Sequence, residues 1–233
     1  MVDPLVSIVV PAYNEAATIE DVLRRVSEVP FRREVIVVDD GSQDGTPEIV
    51  ARVAAELDGV RLVRRDANAG KGAAVRDGIA ETTGDLVVIQ DADLEYDPKD
   101  LPKLLAPLLA GRADVVYGTR LRGGEPQRAH LFWHYAGNRF LSLLTNVLYN
   151  TTISDMEVGY KAFRGDLIRS IRLVSDDFRF EPEVTAKVLR TPGVRLYEVP
   201  ISYYGRTFAE GKKITWRDGI KAVGAIVRFR FGG

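Results

Sequence analysis

Three short apolar runs, Val6–Val10, Val35–Val38 and Leu86–Ile89, each break off at a turn and give way to a helix-period segment. Chains that alternate in this way fold into a mostly parallel sheet flanked by helices, because a strand must cross over before its parallel neighbour can form. Ile19, Val22, Leu23 and Val26 make the helix stripe after the first run, and Ile49, Val50, Val53 and Leu57 the stripe after the second. Thr18 and Asp21 have capping-box spacing at the first helix start. Further strands are expected at 60–63, 114–117 and 195–199, with helices at about 72–82, 101–108, 131–149, 182–190 and 215–231.

The runs also end in suggestive company. Pro11-Ala12-Tyr13-Asn14-Glu15 follows the first, Asp39-Asp40-Gly41-Ser42 the second and Gln90-Asp91-Ala92-Asp93 the third. In open α/β sheets ligands bind outside the carboxyl ends of the strands, so these acids should converge on one crevice. Asp91 and Asp93 would present hard oxygens to a divalent cation, and magnesium or manganese shares such ligands with phosphate. Turns favour Asp in any case, so the pair alone does not establish a metal site.

Composition narrows the class. The chain has 233 residues, a net charge of −1 and no cysteine. No basic field points to nucleic acid, and disulfides and thiolate zinc sites are excluded, which fits a reducing cytosol. The first strand begins almost at once, so no signal peptide is expected, and no apolar run reaches the roughly 20 residues of a membrane-spanning helix.

Asn68-Ala69-Gly70-Lys71-Gly72 reads as a turn opening a helix, either an anion site built on free amides or an ordinary turn with a solvated Lys71; its spacing is not that of a P-loop. His130 and His134 have metal-ligand spacing, but Leu131 stands where the zincin pattern needs Glu, so they are assigned to an amphipathic face beside Phe132, Trp133 and Tyr135. Glu181 and Glu183 flank Pro182 at a helix start, where the dipole favours acids, and are read as structural.

Taken with Asp91-Ala92-Asp93-Leu94-Glu95, Gly118-Thr119-Arg120, Ser154 to Lys161 and Tyr204-Gly205-Arg206, these motifs resemble, in order and spacing, family 2 inverting glycosyltransferases of the dolichyl-phosphate and polyprenyl-phosphate hexose synthase type. The resemblance implies a glycosyltransferase A fold over 1–213, with 214–233 as a C-terminal amphipathic helix. It also implies a nucleotide-sugar donor, GDP-mannose or UDP-glucose, and Mg2+ or Mn2+. By the same resemblance Pro11, Tyr13, Glu15 and Asp39 or Asp40 embrace the nucleoside, Lys71 lies on the donor side, and Asp91 and Asp93 hold metal and diphosphate. Glu95 stands where similar enzymes carry Gln as a further metal ligand. Arg206 and Lys212 match a cationic clamp on the departing diphosphate, the alternative being exposed surface cations.

The acceptor decides whether a base is needed. A phosphate monoester is already largely an anion at pH 7 and needs cations, whereas a sugar hydroxyl needs a carboxylate to take its proton. The resemblance puts Arg120, and with it Arg139, at the acceptor phosphate; a helix-surface ion pair is the other reading of Arg139. Asp155 and Glu157 are the candidate bases for a hydroxyl acceptor, and Asp155 alternatively orients an arginine within the active site.

Basic residues interleave with aromatic and aliphatic ones in the last segment, so that helix either lies in lipid headgroups or packs on its own domain. The expected setting is the cytoplasmic face of a membrane, peripherally bound, in a short form, a truncated chain or a subunit with a membrane partner. A glycosyltransferase acting on a soluble hydroxyl and a noncatalytic nucleotide-binding subunit are the rivals. A processive synthase lacks its Q-x-x-R-W signature here, and a hydride-transferring Rossmann enzyme its G-x-G-x-x-G.

Overall fold

A computed structural model describes residues 3–125, 128, 132–205 and 216–232. Its elements in chain order are β1 (Val6–Ala12), α1 (Ile19–Ser27), β2 (Arg33–Asp39), α2 (Thr46–Glu56), β3 (Val60–Arg64), α3 (Lys71–Ala80), β4 (Leu86–Ile89), α4 (Leu101–Leu109), β5 (Val115–Thr119), α5 (Phe132–Tyr149), β6 (Lys161–Arg164), α6 (Gly165–Ser170), α7 (Phe180–Arg190), β7 (Leu196–Pro200) and α8 (Trp216–Phe231). The strands form one sheet of seven in the order β3-β2-β1-β4-β6-β5-β7. β1, β2, β3 and β4 run parallel, β5 pairs parallel with β7, and β6 is antiparallel to both its neighbours. Nearly every side chain of β1, β4 and β5 is buried, as expected for strands covered by helices on both faces.

The chain winds outward from β1 to β3 and then returns to place β4 on the other side of β1. This reversal opens a crevice at the carboxyl edge between β1 and β4, and Ala12 at the end of β1 pairs in register with Asp39 at the end of β2 beside it. The expected apolar stripe of α1 is buried in full. Its expected capping box is not formed. Thr18 instead turns its hydroxyl to the Ala92 carbonyl at 2.7 Å and to Glu15 Oε2 at 3.2 Å, fastening the start of α1 to the Asp91–Asp93 turn.

β6 is the strand that sequence reading did not foresee, as the short α6 is the helix. β6 has only four residues and opens on Lys161, a charge at a fully buried position, so neither length nor pattern announces a central strand. α8 packs on its own domain, one of the two readings of the last segment, and leaves part of its apolar surface exposed. Ala222, Ala225, Ile226 and Phe229 are buried, with α8 against α5 and α7, while Ile220, Val227 and Phe231 are exposed. No helix among the described residues is long and apolar enough to cross a membrane.

Candidate active site

The Asn68–Gly72 turn does hold an anion, but the anion belongs to the protein. Asp40 accepts hydrogen bonds from the Ala69 and Gly70 amides, at 3.1 and 2.8 Å, and pairs with Arg65 at 3.0 Å. Gly70 makes this possible, since its φ of +110° is open to glycine and strained for other residues. Asp40 therefore braces the crevice wall. Asp39 is also buried, and its Oδ2 accepts from the Ser42 amide, but its Oδ1 is buried without a hydrogen-bond partner among the described residues. Of the two candidates for the nucleoside, Asp39 is the one with bonding capacity left. Beside it Asn14, Ser42, Glu15 and Thr46 interlock the first two strand-end loops, and Pro11, Tyr13 and Glu15 are half-buried there.

Lys71, at the first turn of α3, points inward. Its ammonium lies 2.8 Å from Asp91 Oδ1, 3.0 Å from Asp91 Oδ2 and 3.3 Å from Glu181 Oε1. Burial alone would lower this amine, yet Asp91 and Glu181 outweigh it and hold it above its ordinary value. Glu181 also binds the buried Lys161, whose ammonium reaches the Met156 and Val158 carbonyls and sits 4.7 Å from the Tyr117 ring centre. Glu181, read from sequence as a helix-start acid, thus belongs to the site through two lysines. Glu183 is structural as expected, accepting from the Val174 and Ser175 amides and pairing with Lys187.

Asp93 Oδ1 accepts from the Glu95 amide at 3.1 Å, and Glu95 Oε2 accepts from the Tyr203 hydroxyl at 3.0 Å. No cluster of three or more His, Cys, Asp or Glu side chains able to hold a metal occurs among the described residues, so Asp91, Asp93 and Glu95 do not form a three-ligand set in this state. Glu95 is turned to Tyr203. Asp91 and Asp93, half-exposed at the end of β4, still fit a magnesium or manganese site of the kind in which substrate phosphates and water complete one or two carboxylates. Gly159 keeps the approach open, because a Cβ there would collide with Asp91 Oδ2.

Across β6 lies a second constellation. Asp155 is fully buried and grips Arg120 with both oxygens, each at 2.7 Å, while also accepting from the Arg120 amide at 2.9 Å and from Asn138 Nδ2 at 2.7 Å. Burial pushes Asp155 up, but Arg120 and Asn138 outweigh it and hold the carboxyl below the usual range. Arg120 is a fork pinned in one orientation, 5.0 Å from the Tyr203 ring centre and 3.3 Å from the Tyr96 hydroxyl. Tyr96 stacks on Tyr160 and takes the Gly159 amide at 3.1 Å, so one ring joins the Arg120 side to the Asp91 side. Arg139 is exposed on α5; its neighbour Asn138 is the residue that reaches the site. His134 is half-buried on the same helix, and His130, Arg206 and Lys212 lie outside the described residues.

Residues 7–172 match the model of the family described as glycosyl transferase family 2. The chain belongs to this family. As a family 2 member it is a glycosyltransferase, and it resembles polyprenyl-phosphate sugar synthases. It is 32% identical over 216 residues to undecaprenyl-phosphate mannosyltransferase of Micrococcus luteus, covering 88% of this chain and 85% of that protein. Dodecaprenyl-phosphate galacturonate synthase of Rhizobium johnstonii is 29% identical over 212 residues, covering 88% of this chain but only 61% of that longer protein. Among solved structures, glucosyl-3-phosphoglycerate synthase from Mycobacterium tuberculosis, crystallised with Mn2+, UDP and glucosyl-3-phosphoglycerate, aligns with a TM-score of 0.75 at 26% identity, over 98% of this chain and 80% of that one. These neighbours bear out the glycosyltransferase A fold expected for this family 2 chain.

Proposed function

We propose that this glycosyltransferase moves a hexose, with inversion, from a nucleotide sugar, GDP-mannose or UDP-glucose, to a polyprenyl or dolichyl phosphate. The observation that carries this reading is the Arg120–Asp155 fork. Asp155, the nearest candidate base, is saturated by Arg120 and Asn138 and held in its ionised form, so it is poorly suited to accept a proton. A fixed guanidinium facing the crevice suits a nucleophile that is already an anion. Two of the relatives bear names of lipid-phosphate sugar synthases, which supports the same acceptor class.

In this reading Asp39, Glu15, Tyr13 and Pro11 bind the nucleoside, and Arg120, oriented by Asp155, aligns the acceptor oxygen with the anomeric carbon. Asp91 and Asp93 would hold Mg2+ or Mn2+, which neutralises charge on the leaving diphosphate. Lys71 keeps Asp91 in place, and Arg206 and Lys212 act as the diphosphate clamp. The region 1–213 is the catalytic unit and 214–233 an interfacial helix. α5 exposes Phe132, Trp133, Tyr135, Phe140, Leu143 and Val147, and α8 beside it exposes Ile220, Val227 and Phe231 together with Lys221, Arg228 and Arg230. An aromatic and basic face of this kind suits peripheral binding at the cytoplasmic face of a membrane.

Glu157 supports a second reading, transfer to a soluble hydroxyl, because its carboxyl is pushed up to about 7 by burial and then by Glu181, a value suited to a general base. The deciding experiment follows labelled sugar from each donor into organic-extractable undecaprenyl phosphate, with manganese or magnesium and a chelator control. Chelator-sensitive lipid product from one donor is expected. Intact donor binding with no lipid product, and transfer to a soluble sugar instead, would favour the hydroxyl reading.

A further inference from the structure

Glu157 occupies an unusual position in the crevice. It lies in the segment 155–159, which begins at the Arg120 fork and ends at Gly159 against Asp91. Four charged groups bear on its carboxyl, namely Glu181, Lys161, Arg120 and Asp155. Both cations among them are committed elsewhere. Arg120 directs Nε and Nη2 to the two oxygens of Asp155 and Nη1 to the Tyr96 hydroxyl, and Lys161 bonds Glu181 and two backbone carbonyls, so neither donates to Glu157. Glu157 Oε1 is buried with no hydrogen-bond partner among the described residues.

A buried acceptor without a donor bears its full desolvation cost until something supplies a proton to share. What can supply it follows from the chemistry of the reactants, on the reading that a hexose passes from a nucleotide diphosphate to a lipid phosphate. Both phosphate groups are anions that offer only acceptors, and a carboxylate repels them. The hexose offers hydroxyls, which donate. We infer that Glu157 is the sugar-binding residue of the site, accepting a hydrogen bond from a hydroxyl of the transferred hexose and so setting which donor sugar is taken.

The test separates sugar from nucleotide, and needs no acceptor. At about pH 8, above the raised Glu157 value and so with the carboxyl ionised, dissociation constants with Mn2+ are measured calorimetrically for UDP, UDP-glucose, UDP-galactose, GDP and GDP-mannose, on the wild type, Glu157→Gln and Glu157→Ala. For the nucleotide sugar that the wild type binds, Glu157→Ala should weaken affinity about tenfold, as loss of one charge-assisted hydrogen bond requires. Glu157→Gln, whose amide oxygen still accepts, should weaken it only about threefold. Affinity for the bare nucleotide should stay within about twofold in both variants, which also reports that they are folded. A parallel loss for nucleotide and nucleotide sugar would make Glu157 structural and overturn the inference. Unchanged binding with turnover abolished in Glu157→Gln would make it a general base and overturn it too. Failure of the wild type to glycosylate undecaprenyl phosphate, with the sugar-specific loss intact, would remove the lipid-phosphate acceptor and leave Glu157 at the sugar.

Discussion

The two sides of the crevice are built by different means. On the β1–β4 side backbone amides of the strand-end loops hold several of the carboxylates, as the Ala69 and Gly70 amides hold Asp40, the Ser42 amide Asp39 and the Glu95 amide Asp93. On the β5 side Arg120 is held by Asp155, 35 positions away, and Asp155 by Asn138 on α5. Strand-end loops, largely through their backbone amides, make the first side; a side-chain charge pair makes the second. The first should therefore tolerate loss of a side chain with its fold intact, and the second should lose stability and function together.

The largest expected effect tests the first half of that statement. Asp93→Ala should lower turnover on the order of 10³-fold while leaving the unfolding midpoint nearly unchanged, because the residue is half-exposed and no apolar packing is lost with it. Undiminished activity would remove Asp93 from the site, and loss of the folded state would erase the contrast between the sides.

Asp155→Ala probes the opposite side by stranding Arg120 beside a buried void, and should cost about 3 kcal/mol in denaturant unfolding. The same pair predicts a pH dependence. Because the folded Asp155 carboxyl lies below its ordinary value, its contribution is present above the usual carboxylate range and is lost as pH falls through the folded value. Acid unfolding of the wild type should therefore be steeper than that of the variant. An unchanged acid limb would show that the pair contributes nothing net.

Arg120→Ala extends the comparison to the acceptor, alongside the stability lost by stranding Asp155. It should raise the KM for undecaprenyl phosphate roughly 30-fold, the worth of a charge-assisted hydrogen bond, with nucleotide affinity retained. Loss of nucleotide binding instead would place Arg120 on the donor side.

A smaller effect concerns Glu157, whose folded carboxyl sits at about 7 against an ordinary 4.5. The folded protein holds this proton more tightly, so the contribution is fully present below the unfolded value and lost as pH rises through about 7. Glu157→Gln does not suffer this loss. Its Tm relative to wild type should rise between about pH 5 and about pH 8, and a pH-independent difference would show that Glu157 titrates normally. The smallest effect is expected at Trp133, 81% exposed on α5, where Trp133→Ser should weaken binding to anionic vesicles a few-fold without altering stability. Equal binding would assign the aromatic face to another partner.

The same contrast explains what could be read from sequence. Asp39-Asp40, Asp91-Ala92-Asp93 and the stripe of α1 declare themselves within a few consecutive residues, so the parallel half of the sheet and its acids were legible. Arg120 was legible as a cation after a strand. Its dependence on Asn138 was not, since Asn138 carries no local signal and the charged neighbour Arg139 draws attention instead. Lys161 and Glu181 were hidden for a physical reason as well. Each is a charge inside the protein because the other is there, and hydrophobic pattern is blind to such pairs. Asp40 and Thr18 were assigned to a ligand and to a helix cap, and both turned out to tie one loop to another, a choice settled only when the loops meet.

The single antiparallel strand acts as a ruler. Since β6 lies between β4 and β5, the carboxyl ends that carry Asp91 and Arg120 are held two strand spacings apart, about 10 Å. Running the opposite way, β6 brings its first residue rather than its last to this edge, so Lys161 with Glu181 floors the gap. Were β4 and β5 direct neighbours, the two charged ends would face each other at half that width. The strand that sequence reading missed is the one that fixes the length of whatever bridges them.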